Sequence, residues 1–213
     1  LDDLKINFKS SWIIQVKYFE LDPNAQKQYE GDIHQLMAKK YGISIERAIE
    51  TNNNIVRSAR EVGLVFNFDD LKRTNTFDAH RLSYYAKEKG RLSAFTEAVM
   101  RSYFIEALDI SNLETLLDLA VEVGLDREKA KGILTSSAYS QEVRTAEQNA
   151  HSKGINGVPY FIFDEKEVIY GAQPVEAFVN VIEAVKNNVP TTINETNFWF
   201  FIGSKEKNFF FNR

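Results

Sequence analysis

Apolar positions keep helical spacing over most of this chain, and short stretches near its two ends break that rhythm. Trp12-Ile13-Ile14-Gln15-Val16-Lys17-Tyr18-Phe19 alternates, which predicts a strand over 13–19 with Ile14, Val16 and Tyr18 on one face. Glu20-Leu21-Asp22-Pro23-Asn24 stops it. Far downstream, Tyr160-Phe161-Ile162-Phe163 and Glu167-Val168-Ile169-Tyr170 form two β-favouring runs around the polar tip Asp164-Glu165-Lys166, a hairpin pattern. After Gly171-Ala172-Gln173-Pro174 the period returns to helical at Phe178, Val181, Ile182 and Val185. Pro174 suits the first turn of that helix.

Residues 24–153 read as nearly continuous helix. Ile33, Leu36, Met37 and Tyr41 share a face that Gly42 ends, and Ser44 caps the next helix. Ile45, Ala48, Ile49, Val56 and Ala59 are expected on its buried side, with Asn52-Asn53-Asn54 on an exposed face. Leu64-Val65-Phe66-Asn67-Phe68 connects to a helix opened by Asn75-Thr76-Phe77 and closed by Gly90, and Phe95, Ala98, Val99, Ser102 and Tyr103 mark the next. Ser111-Asn112-Leu113-Glu114 reads as a capping box. It leads a helix whose inner face is expected to hold Leu113, Leu116, Leu117, Ala120 and Val121. Asp126 caps a short helix, and 140–153 forms another with Val143, Ala146 and Ala150 inward.

The chain turns on Lys153-Gly154-Ile155-Asn156-Gly157-Val158-Pro159-Tyr160-Phe161-Ile162-Phe163. Pro159 opens a strand, where it cannot donate to the ladder, and Val158 before it is held extended. Gly157-Val158-Pro159-Tyr160-Phe161-Ile162-Phe163 followed by Gly171-Ala172-Gln173-Pro174 resembles the second half of a thioredoxin fold of the DsbA-like family, FrnE-type branch. Phe19-Glu20-Leu21-Asp22-Pro23-Asn24-Ala25, Asn75-Thr76-Phe77-Asp78-Ala79-His80-Arg81 and Tyr103-Phe104-Ile105-Glu106-Ala107-Leu108-Asp109-Ile110 look FrnE-type too. The resemblance covers about 13–187. It implies an α/β, thioredoxin-like (DsbA-like) fold with a large helical insertion and a cis Val158-Pro159 bond. Residues 1–23 and 154–187 would form a partial thioredoxin-like domain, 24–153 the insertion, and 188–213 a linker and aromatic tail.

Composition changes this picture at one point. The 213 residues include no cysteine. In the DsbA-like family a first strand leads into a Cys-x-x-Cys at a helix N-terminus, where the thiolate is stabilised. Here the resemblance begins after that point, so the first strand of the sheet is expected to be missing from the chain. Thiol–disulfide exchange needs a thiolate; Ser10-Ser11 cannot replace it, and no catalytic residue is assigned. The resemblance places the vacant strand between 13–19 and the proline-led strand. Phe198-Trp199-Phe200-Phe201-Ile202 is expected to fill it, from this chain or a neighbour, and Phe209-Phe210-Phe211 is a further apolar cluster.

The remaining composition mostly excludes. A net charge of −4 argues against a non-specific nucleic-acid footprint. No apolar run approaches the roughly 18 residues of a membrane span. Without a signal-peptide pattern the expectation is cytoplasmic. His34, His80 and His151 have no partner at metal-ligand spacing and read as surface or packing residues. No metal or cofactor is expected. Three functions remain open. The chain is a shortened, redox-inactive member of the disulfide oxidoreductase family; or a non-catalytic module holding an extended peptide or ligand; or a kappa-class glutathione transferase or isomerase relative, against which the wording of Phe19 to Pro23 argues. Gly157, Val158 and Pro159 are the candidate substrate-binding residues, presenting a backbone edge to an extended peptide or protein. A dimer through the sheet gap or the aromatic tail is also open.

Overall fold

A computed structural model describes residues 12–18, 20, 22–27, 29–188 and 196–202, with 12–18 and 196–202 as backbone. The chain divides into two compact units, Leu1–Phe19 with Ala150–Arg213, and Glu20–Asn149.

The first unit holds β1 (Trp12–Tyr18), β2 (Tyr160–Phe163), β3 (Glu167–Tyr170), α8 (Val175–Asn188) and β4 (Thr196–Ile202). Its sheet has the order β1-β4-β2-β3. β4 runs parallel to β1, from Trp12↔Thr196 to Tyr18↔Ile202, and antiparallel to β2, from Phe163↔Phe198 to Tyr160↔Phe201. The aromatic run near the C-terminus therefore fills the position between 13–19 and the proline-led strand, from the same chain. Phe209-Phe210-Phe211 and Ser10-Ser11 lie outside the described residues.

The β2–β3 hairpin turns through Asp164 and Glu165, both at positive φ (48° and 59°), with Lys166 N–H donating to the Phe163 carbonyl at 3.0 Å. Consecutive left-handed residues give the primed turn whose twist matches the strands. Phe163, Ile169 and Val185 form the buried centre of this unit, with Phe161, Phe178, Val181 and Ile182 against them. The Phe161 and Phe178 rings meet edge to face at 4.7 Å. This alternation sends Phe161 and Phe163 to α8, and puts Tyr160 and Ile162 on the opposite face.

The second unit comprises α1 (Ile33–Tyr41), α2 (Ile45–Glu61), α3 (Phe77–Glu88), α4 (Leu92–Phe104), α5 (Leu113–Glu122), α6 (Arg127–Leu134) and most of α7 (Ser140–Ser152). Gly42 is the left-handed C-cap of α1, and Ser44 and Asp126 accept from the third residue of α2 and α6. The main core joins Leu82, Tyr85, Ala86, Phe95, Ala98, Leu116, Leu117 and Ala120.

Three details differ from the sequence reading. Ile45 and Ile49 are exposed while Asn52 is buried, its amide donating to His34 Nδ1 at 3.0 Å. The physical reason is that α2 packs on α1 through small Ala48, against Met37 and Ala38, so the stripe is narrower than its apolar residues suggest. Leu113 and Val121 are exposed on α5, whose core side is Leu116, Leu117, Leu119 and Ala120. The cap of α5 is Asn112, accepting from the N–H groups of Glu114 and Thr115. Ser111 is drawn away: its N–H and hydroxyl both donate to Asp109 Oδ1, at 2.9 and 2.7 Å.

Candidate functional site

The proline loop starts where α7 stops. Gly154 takes φ 74°; its N–H donates to the His151 carbonyl at 2.9 Å, and Ile155 N–H donates to Ala150 at 3.0 Å. That paired closure ends the helix, and Ile155, fully buried, anchors the exit. The Val158–Pro159 peptide bond is cis. Pro159 offers its carbonyl to Gly171 N–H at 2.9 Å, locking the loop to the end of β3. Val158 is buried. Its peptide N–H and C=O make no backbone hydrogen bond among the described residues, and the β2–β4 ladder ends one pair beyond Pro159, at Tyr160↔Phe201. A Cβ on Gly157 would lie 2.7 Å from the Tyr170 hydroxyl, so Gly157 is the residue that lets this phenol lie over the loop. Tyr170 also meets Tyr160 edge to face at 6.1 Å and is half exposed. The structure thus places Gly157, Val158 and Pro159 together with Tyr170, which the sequence did not single out.

A second polar assembly lies inside the helical unit. Arg144 Nη1 donates to Glu20 Oε2 at 2.7 Å and to both oxygens of Glu147, at 3.0 and 2.9 Å. Its guanidinium lies over the Phe77 ring at 4.2 Å. Asn75 reaches Glu20 at 3.5 Å and donates to the Ala25 carbonyl at 2.9 Å. Thr74 donates to Asp109 at 2.7 Å. The stretch beginning at Asn75 is therefore stitched to the one beginning at Phe19, and Thr74 just before it reaches the one beginning at Tyr103. Burial above all lifts the Glu20 carboxyl to about 7, with Arg144 opposing and Glu147 adding. Burial, and then the Arg144 charge, holds His80 down at about 4, with its ring nitrogen Nε2 out of water. Burial works against ionised Asp109, yet the bonds from Ser111 and Thr74 keep its carboxyl below the usual range.

A family model described as DSBA-like thioredoxin domain matches residues 5–183. The chain belongs to the DSBA-like thioredoxin domain family. A crystal structure of a Streptomyces coelicolor protein named as a probable DsbA oxidoreductase is similar, at TM-score 0.76 and 35% identity, over 82% of this chain and 76% of that one. A Nitrosomonas europaea structure, 20% identical with a TM-score of 0.52, covers 62% of this chain and 70% of its own and shares the fold. Uncharacterised protein YwbO of Bacillus subtilis is 30% identical over 126 residues, 58% of this chain. The matched region spans 62% of the length of that curated relative.

Within this DSBA-like chain the loop and the assembly offer different chemistry. The loop supplies backbone groups and aromatic surface, suited to holding an extended segment. The assembly supplies carboxylates and a guanidinium, suited to holding a proton. Neither contains a thiol, and the DSBA-like sequence of 213 residues has none to bring. Arg144 and Glu147 went unnoticed in the sequence because nothing local marks them; Arg144 and Glu20 are 124 positions apart.

Proposed function

We propose that this chain is a FrnE-type member of its family that binds an extended peptide or unfolded protein segment at Gly157, Val158 and Pro159. It performs no thiol–disulfide exchange with its own residues. The observation that carries the reading is the backbone of Val158, unbonded among the described residues, beside a Pro159 whose carbonyl is already held by Gly171. An incoming strand would pair with the Val158 N–H and C=O while Pro159 stays fixed. Redox inactivity follows from chemistry: exchange proceeds through a thiolate attacking sulfur, and this polypeptide has no cysteine.

Two measurements test this. Insulin reduction by dithiothreitol is expected to run at the same rate with and without the protein; acceleration would refute the inactive reading. Calorimetric titration with an unstructured peptide is expected to give saturable heat that Val158→Pro, which removes the N–H donor, abolishes. Heat with glutathione and none with peptide would instead favour a glutathione-binding relative.

A further inference from the structure

The chain passes between its two compact units twice, at Phe19/Glu20 and at Asn149/Ala150. The Glu20, Arg144 and Glu147 assembly sits at both passages, on the helical unit's side. Glu20 is the first residue of that unit, and Glu147 lies one turn of α7 before the second crossing. Glu20 and Glu147 are 2% and 6% exposed, and a single guanidinium serves both. Fully ionised, this trio carries one uncompensated negative charge. Holding one proton, it is neutral. Like carboxylates sharing a site do not both ionise at their ordinary range.

We propose that Glu20 holds a proton beside Glu147 and Arg144, forming a pH-sensitive latch that ties residues 20–27 to 140–149 and slackens when the proton leaves. Arg144 of α7 contacts both carboxylates, Tyr84 of α3 lies within reach of the Glu147 and Glu142 charges, and His80 of α3 within reach of Arg144. His80 stays neutral through the relevant range and supplies no second cation, and the Tyr84 phenol, pushed up by burial, Glu142 and Glu147, adds no negative charge. With Glu20 lifted to about 7, the latch changes state near neutrality. The two carboxylates then repel across one guanidinium, and the attachment of 20–27 to 140–149 weakens. The device is independent of what the proline loop binds.

Hydrogen exchange of the intact chain at pH 6.0 and 8.5 tests it, each rate divided by the intrinsic rate at that pH. In the wild type, protection over 20–27 and 140–149 is expected to fall about tenfold at the higher pH, the equivalent of one pKa unit of coupling. Glu20→Gln, neutral at both values, is expected to show no fall; Glu147→Gln serves equally should that variant not fold. Equal wild-type protection at both pH values, or the same fall in the Gln variants, overturns the latch.

Discussion

Phe201 of β4 stands opposite Tyr160 of β2, so the last described strand of the chain ends beside the proline loop. β4 supplies the ladder for β1 on one side and β2 on the other. Without it β1 would be a lone strand, and β2–β3 a two-stranded hairpin supported by α8 alone. A chain ending at Glu195 is therefore expected to lose amide protection in β1 and β2 by at least about tenfold, and to self-associate through the freed edges. Exchange and sedimentation check this; unchanged protection would show that the pairing contributes little.

Arg81 is buried and serves four acceptors. It donates to Asp78 at 2.9 Å, to the carbonyls of Ala138 and Ser136 at 2.8 and 2.6 Å, and to that of Ile133. These close the end of α6 and the connection to α7. Arg81→Ala leaves several of them unpaired and is expected to cost about 3 kcal/mol. Arg81→Lys recovers only part, because an ammonium cannot span the same fork. Denaturant unfolding measures both.

Glu20 and His80 give opposite pH dependences of stability. Glu20, raised to about 7, gives stability that is full below its unfolded value near 4.5 and lost as pH rises through 7. His80, lowered to about 4, gives stability that is full above its unfolded value near 6.5 and lost as pH falls through 4. Where those windows overlap the two slopes offset. Glu20→Gln is expected to melt at least about 3 °C lower at pH 4.5 than at pH 6.5, exposing the histidine slope. His80→Phe reverses the sign, melting higher at pH 4.5 than at 7. Flat profiles in both variants would show that neither group is perturbed as described.

Glu165 sits at φ 59° in the hairpin turn, where a side chain is strained. Glu165→Gly is expected to stabilise the protein by about 1 kcal/mol. Asp164→Gly should give less, because aspartate tolerates this conformation and Asp164 approaches Lys166 at 3.7 Å. Thermal unfolding distinguishes them.

The hairpin, the helix stops at Gly42 and Gly90 and the caps Ser44 and Asp126 were legible because each is decided within a few residues. Phe198 to Ile202 was legible as a strand, and its place in the sheet followed from a resemblance rather than from its own residues. Burial of Asn52 was not legible: it depends on His34, eighteen positions away, and on how narrow the α1–α2 contact is. The Ser111 box failed because Asp109 outcompetes the helix for the same hydroxyl. Candidate site residues divide the same way. Gly157, Val158 and Pro159 carry a local signature, whereas Tyr170 is defined by what a missing Cβ at Gly157 leaves open.

The pairing of residue 12 with residue 196 has a consequence for biosynthesis. β1 leaves the ribosome 184 residues, from 12 to 196, before its partner. At roughly 5–20 residues per second, about 10–40 s separate them. Throughout that interval the nascent chain carries an unmatched strand beside a helical unit built from local contacts, which forms quickly. The sheet closes only once residues 196–202 have followed, so a holdase that shields residues 12–18 in the meantime would raise yield more than one acting after the pairing.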